Sequence, residues 1–250
     1  MSFRDHFSET AGSYAEFRPR YPRALFEFLA SVVPARRLAW DAATGNGQAA
    51  LDLADFFDRV IATDASAAQI AEAFAHPRVE YRVAPAEKSG VEPRSMDLVT
   101  VAQALHWFDI EAFWKEAARV IVPNGVVAVW CYQLLEVGDA AIDSAVRRFY
   151  SRTVGPYWPP ERRLVDEGYS RVTFPFVELP APDFVIEKTI TLSALAGNLR
   201  TWSATRQYVR KNGADPVTPF LEELRPMWGG EDAKRPVIWP IRLRVGRARG

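Results

Sequence analysis

The chain has 250 residues, of which 48% are apolar, and its 31 basic residues balance its 31 acidic ones to a formal net charge of zero. That balance argues against an electrostatic nucleic-acid binder, and no apolar run reaches membrane-spanning length or forms a signal core behind MSFRDHFSE. A single cysteine, Cys131, excludes an internal disulfide framework, and the three histidines (His6, His76 and His106) show no ligand spacing, so no metal site is expected.

The expectation is a cytoplasmic protein acting on small molecules, with neither nucleic acid nor membrane as partner. Nothing in the sequence specifies an oligomeric state. The opening segment places Phe3, Phe7, Tyr14 and Phe17 among polar residues, then runs into FRPRYP. Pro22 suits the first turn of a helix to about Val33, whose apolar face is Leu25, Phe28, Leu29 and Val32. Pro34 ends it. A first strand, about Arg37–Asp41, leads into Ala43, Gly45 and Gly47 at two-residue steps, and a helix begins near Gln48 with Ala50, Leu53, Ala54 and Phe57 inward.

Val60–Thr63 is a second apolar run closed by Asp64. Ser66 is placed to cap the next helix, which shows Ile70, Ala71 and Phe74 at helical spacing. Val79–Val83 and Leu98–Val101 read as the third and fourth strands. Ile110, Phe113, Trp114, Ala117 and Ile121 line a helix, Pro123-Asn124-Gly125 marks a turn, and Val126–Trp130 is a fifth strand. Near-continuously apolar strands alternating with helices predict a parallel sheet covered on both faces.

The pattern then changes. Asp139–Arg152 reads as a helix, Tyr157-Trp158-Pro159-Pro160 as a rigid aromatic loop, and residues 161–183 follow no clear period. Phe184–Thr191 reads as a strand, and Leu195–Lys211 and Pro216–Trp228 as helices. In Val237–Val245 the apolar residues Val237, Trp239, Ile241, Leu243 and Val245 alternate with Pro240, Arg242 and Arg244. That alternation predicts an antiparallel strand with one wetter face, forming a hairpin added to the parallel sheet.

In an open α/β sheet, ligands bind at the carboxyl ends of the strands where the strand order reverses. The residues at those ends are Asp41 and its loop, Asp64, Ala86-Glu87, Gln103–Trp107 and Trp130–Tyr132. Small residues after Asp41 let backbone approach a ligand, and the helix start offers free N–H groups. Asp64, 17 residues past Gly47, is placed to accept both hydroxyls of a ribose. A nicotinamide-dependent oxidoreductase would use the same acid, but with a G-x-G-x-x-G loop.

The loop DAATGNG, Asp41–Gly47, instead resembles motif I of the class I S-adenosylmethionine-dependent methyltransferases, roughly D-x-G-x-G-x-G. Ala43 departs from it, which would be harmless if that residue kept a negative φ. VIATDASAAQIAEA resembles the ribose-binding strand and helix of that family, MDLVTVAQALHWFD its fourth strand and loop, and IVPNGVVAVW its fifth strand. More narrowly, AxxYAxFRPRYP and QALHWFD resemble the branch that includes trans-aconitate methyltransferase.

The resemblance implies a Rossmann-like, doubly wound α/β/α fold with a seven-stranded sheet, mostly parallel, whose last strand is antiparallel. It implies S-adenosyl-L-methionine as cofactor, held by Tyr14, Arg18, Tyr21, Asp41, Ala43, Thr44, Gly45, Gly47, Asp64, Ala65, Ala86, Glu87 and Gln103. Loop N–H groups would face the methionine carboxylate, and Asp41 its amino group. Within one domain of residues 1–250, residues 1–34 would form a helical lid, 35–135 the cofactor core, 136–234 the acceptor pocket and 235–250 the terminal strand.

His106 is a candidate general base; the alternative is packing beside the cofactor. His106, Trp107, Tyr132, Tyr157, Trp158 and Arg206 are expected at the acceptor, with Arg200, Trp202 and Tyr208 as further wall candidates. No N/D-P-P-Y/F/W follows the fourth strand, and Cys131 is on the wrong strand for pyrimidine C5 chemistry. A small acceptor methylated at oxygen is the expectation, a carboxylate being one candidate for that oxygen. A non-catalytic S-adenosylmethionine-binding protein is the other alternative.

Overall fold

A computed structural model of the chain describes residues 19–230 and 232–249. The elements in order are α1 (Arg23–Val32), β1 (Leu38–Ala42), α2 (Gln48–Ala54), β2 (Arg59–Asp64), α3 (Ala67–Ala71), β3 (Val79–Val83), β4 (Met96–Ala102), α4 (Ile110–Val120) and β5 (Ile121–Tyr132). Then come α5 (Ala140–Arg148), α6 (Arg162–Asp166), β6 (Val177–Glu178), β7 (Phe184–Ile190), α7 (Leu192–Arg200), α8 (Ser203–Asn212), α9 (Val217–Trp228) and β8 (Arg235–Arg247).

The sheet runs β3-β2-β1-β4-β5-β8, with both β6 and β7 paired to the far side of β8. The strands β1 to β5 are mutually parallel, and β8 is antiparallel to β5, Tyr132 facing Ile241 and Val126 facing Arg247. The expected antiparallel terminal strand is therefore present. It is longer than the clean alternation suggested, and it is inserted into the sheet rather than hung on its edge. No hairpin makes it, because α7, α8 and α9 separate β7 from β8. Among the described residues the count is eight rather than seven, because the two-residue β6 pairs with Arg247 and Gly246.

Alternation along the strands sorts side chains to two cores. Ala39, Val126, Ala128 and Trp130 face α1 and α2 through Leu25, Phe26, Leu29 and Leu53. Trp40, Val127, Val129 and Cys131 face α4 through Phe113, Trp114 and Ala117. Both faces of the central strands are thus buried, which is why they read as continuous apolar runs. At the other end of the sheet the buried Asp97 accepts the backbone N–H of Arg37 at 2.9 Å and of Leu38 at 3.1 Å, fixing the entry to β1.

Three helices differ from the sequence reading. α3 stops at Ala71, and Phe74 is 49% exposed rather than on a buried face. The expected Asp139–Arg152 helix is capped by Asp139 but gives way to a π turn at Phe149–Thr153. The expected Leu195–Lys211 helix is two helices, because Trp202 is extended (φ −65°, ψ 135°) at the position just before α8. Trp202 leaves the helical path to pack on Phe149, Tyr150 and Trp158.

Candidate active site

The strand order reverses between β1 and β4, which opens a crevice at their carboxyl ends. Asp41 is fully buried beneath it. Its carboxylate accepts the hydroxyls of Thr44 at 2.6 Å and Thr100 at 2.8 Å. Burial pushes its pKa up to about 6, against the opposing pull of the two threonine bonds. Asp41 is thus a strut under the loop.

Above it the loop alternates: Ala43, Gly45 and Gly47 have φ of 54°, 59° and 93°. Ala43 does not have the negative φ under which alanine would be harmless there. A left-handed turn at every second residue is what brings the loop back toward β2, and alanine there carries strain that glycine would not. The Thr44 N–H donates to Thr63 O at 2.9 Å, Gly45 N–H to Asp64 Oδ2 at 2.9 Å and Gly47 N–H to Thr44 O at 3.0 Å. These three donors, expected to face a ligand carboxylate, are instead engaged within the protein.

Asp64, half-buried at the end of β2, also accepts the Ser66 N–H at 2.8 Å, and Ser66 caps α3 as expected. Ala65 follows at the rim. The Tyr81 hydroxyl is buried against Gly47, where any Cβ would overlap it, and has no hydrogen-bond partner among the described residues. A loop of small residues, a strand-end carboxylate and this buried polar group beside them fit a nucleoside-bearing ligand. Ala86 is buried below, and Glu87 Oε1 accepts the Asp109 N–H at 2.9 Å, tying the loop after β3 to the start of α4. Tyr14 and Arg18 lie outside the described residues. Tyr21 packs edge-on against Trp130, with ring centroids 5.5 Å apart.

Beside this crevice is a pocket lined by Gln103, His106, Trp107, Tyr132, Trp158 and Trp202, among others. Gln103 also has positive φ, 58°. Its N–H donates to Trp130 O at 2.8 Å and its Oε1 accepts the Tyr132 N–H at 2.9 Å, so it stitches the ends of β4 and β5. His106 is buried, with Nδ1 3.0 Å from the Tyr169 hydroxyl. Burial raises the Tyr169 pKa well above that of a free phenol, so the hydroxyl keeps its proton. Cys131 is buried and its thiol is pushed up to about 12 by that burial, which makes it no nucleophile.

Tyr157 and Arg206 do not join this pocket. Tyr157 packs on Tyr208 with centroids 5.0 Å apart and accepts the Asn212 side-chain amide at 2.8 Å. Arg206 lies in a separate surface hollow with Arg200, Arg210 and Asp215, where Arg200 Nη2 pairs with Asp215 at 2.7 Å. Both sit on α8 or its docking partner, carried away by the break at Trp202. The pocket's cation is Arg162, and its buried phenol neighbour is Tyr169. Both fall in the stretch without periodicity. The four-residue spacings Arg162/Asp166 and Arg163/Glu167 are the local signs of a helix there.

Residues 40–129 match a family model described as a methyltransferase domain. A Dictyostelium discoideum protein assigned as a methyltransferase is 31% identical across 94% of this chain and 91% of its own. The chain belongs to the class I S-adenosylmethionine-dependent methyltransferases. A solved structure from Anaeromyxobacter dehalogenans, assigned as a type II methyltransferase, is 47% identical with a TM-score of 0.88, covering 93% of this chain and 99% of its own. A Haemonchus contortus phosphoethanolamine N-methyltransferase bound to S-adenosyl-L-methionine shares the fold alone, at 16% identity and a TM-score of 0.51 over 60% of its length.

S-adenosyl-L-methionine is accordingly the cofactor of this methyltransferase. The cofactor supplies an electrophilic methyl group on a sulfonium. The polypeptide's share is to bind, orient and exclude water, and the residues around the Asp41–Gly47 loop and Asp64 are those that fit it.

Proposed function

We propose that this methyltransferase acts on a small organic molecule seated in the Gln103–Trp202 pocket, and methylates it at an oxygen, a carboxylate oxygen in particular. One observation carries the reading: an aromatic-walled pocket opens at the ends of β4 and β5, next to the strand whose loop fits the cofactor. A carboxylate is already ionised at neutral pH and needs no base, so positioning supplies most of the catalysis. The one histidine lining the pocket, His106, has its Nδ1 engaged by Tyr169. The likeness of QALHWFD to the trans-aconitate branch supports the same acceptor chemistry.

The same reading assigns Tyr14, Arg18 and Tyr21 to a lid within residues 1–34, and places residues 35–135, 136–234 and 235–250 as cofactor core, acceptor region and terminal strand. It also places the protein in the cytoplasm; no helix among the described residues is long and apolar enough to cross a membrane. The test is release of S-adenosylhomocysteine by purified protein across a metabolite panel. Turnover with carboxylic acids, giving base-labile methyl esters, is the expected result. Cofactor binding without turnover of any acid, or turnover confined to amines, overturns the oxygen assignment.

A further inference from the structure

The pocket's polar wall holds one arginine, Arg162. Among the residues that line it there is no aspartate or glutamate. Gln133 spends its side-chain amide on Val165 O at 2.7 Å, and Gln103 spends its carbonyl oxygen on the Tyr132 N–H at 2.9 Å, which leaves the Gln103 amide hydrogens. Arg162 adds a full positive charge, and its side chain is only 17% exposed.

Arg162 is held firmly, but by one edge. Its guanidinium lies over the rings of Trp158 at 4.7 Å and Tyr150 at 5.5 Å. Its Nε donates to the Tyr150 hydroxyl at 2.8 Å and to Asp166 at 3.3 Å. Neither terminal nitrogen makes a hydrogen bond to a described residue. Asp166, the acid that balances the charge, is 47% exposed and also accepts the Tyr150 hydroxyl at 2.5 Å. Compensation therefore comes from the solvent side and through Nε, while the planar fork that suits bidentate binding of an oxyanion stays uncommitted. Ordering a long arginine against two aromatic faces prepays the entropy of forming such a pair.

We propose that Arg162 is the specificity-determining residue of the acceptor pocket, and that it pairs with an anionic oxygen group, a carboxylate or a phosphate, on the methyl acceptor. The inference rests on the pocket assignment made above and adds to it the charge the acceptor must carry. Trp107, Trp158 and Trp202 supply flat apolar walls for the remainder of that molecule.

The test is calorimetric titration of the whole protein with phenylacetate, phenyl phosphate and the neutral phenylacetamide, with and without S-adenosylhomocysteine. One or both anions should bind at least about tenfold tighter than the amide. Arg162→Met should erase that preference, and Arg162→Lys should restore part of it. Affinity for S-adenosylmethionine and thermal unfolding should stay near wild type in both variants. Equal binding of amide and both anions, or a preference that survives Arg162→Met, overturns the proposal. If the wild-type protein fails to bind S-adenosylmethionine, the functional reading falls by itself, while the titrations without cofactor product still decide the role of Arg162.

Discussion

The Asp64 carboxylate and the Gly45 backbone amide are joined by a 2.9 Å hydrogen bond, with Ser66 N–H on the other carboxylate oxygen at 2.8 Å. One acid therefore closes the loop after β1 onto the start of α3. Its expected role toward ribose does not exhaust what it does. Asp64→Ala should abolish measurable S-adenosylmethionine binding and also cost roughly 1–3 kcal/mol of stability, since two backbone donors lose their acceptor. Asp64→Asn keeps one acceptor oxygen and should recover part of the stability but little of the binding. Calorimetry and urea unfolding on the two variants check this; unchanged stability in Asp64→Ala would mean the bonds to Gly45 and Ser66 carry no weight.

Ala43 holds a φ of 54° in the position where the family loop has glycine. The left-handed region costs a non-glycine residue about 1–2 kcal/mol, and glycine's greater freedom in the unfolded chain returns about 0.5–1 kcal/mol of that. Ala43→Gly should therefore raise stability by up to about 1 kcal/mol, visible as a small rise in thermal midpoint on the order of 2 °C. A fall in the midpoint would show that the loop has adapted to the methyl group. Where cofactor affinity is measured alongside, it should hold or improve.

What was legible in the sequence follows from which residues answer to a local rule. Strands buried on both faces announce themselves as apolar runs, so β1 to β5 and the acids at their ends, Asp41 and Asp64, were found. Ser66 was found as a cap because capping is decided within four residues. Trp202 was not found as a helix break, because the aromatic cluster that pulls it out is assembled from Phe149, Tyr150 and Trp158, some 50 residues away. The sequence points to Arg206 and gives no sign of Arg162 at the pocket for the same reason. Both are arginines on helices, and only the chain's path after β5 decides which one reaches the pocket. The sign of φ at Ala43 is not legible because a small side chain hides backbone strain that a bulky one would rule out.

His106 is fixed by Tyr169, whose hydroxyl keeps its proton and lies 3.0 Å from Nδ1. If Nδ1 accepts that proton, the ring carries its own on Nε2 and serves there as a donor rather than a base. His106→Asn should then spare cofactor affinity and lower turnover by a modest factor, on the order of tenfold, without changing the shape of the pH–rate profile between pH 6 and 8. Loss of an acidic limb near the histidine range in the variant would restore the base assignment.

Glu116 on α4 ties down the segment before β4. It accepts the Ser89 N–H at 2.9 Å and hydroxyl at 2.5 Å, and pairs with Arg119 at 2.7 Å. Chiefly through the Arg119 bonds, its pKa is held down at about 2. A depressed carboxylate contributes stability that is complete above its unfolded value, near 4.5, and is lost as pH falls toward about 2. Glu116→Gln should cost roughly 1–3 kcal/mol at pH 7. The gap between variant and wild type should narrow as the pH is lowered from 5 to 3 in urea unfolding. A gap that stays constant would show that the charge on Glu116 does not matter to the fold.

Asp41 works in the opposite sense. Its pKa is raised to about 6 by burial, from 3.8. A raised carboxylate favours the folded state below its unfolded value and forfeits that advantage as pH climbs through the folded one, so the loss falls between about pH 4 and pH 6. The size of the effect is on the order of 3 kcal/mol, two pKa units and a little more. Asp41→Asn cannot ionise and escapes it. The variant's stability relative to wild type should therefore climb between pH 4 and pH 7 and then level off, while its affinity for S-adenosylmethionine falls. If the proposed cofactor site is right, a costly buried charge kept beneath this loop trades stability for binding. Parallel unfolding and binding curves on the one variant test that trade, and a relative stability that does not move with pH would remove its physical basis.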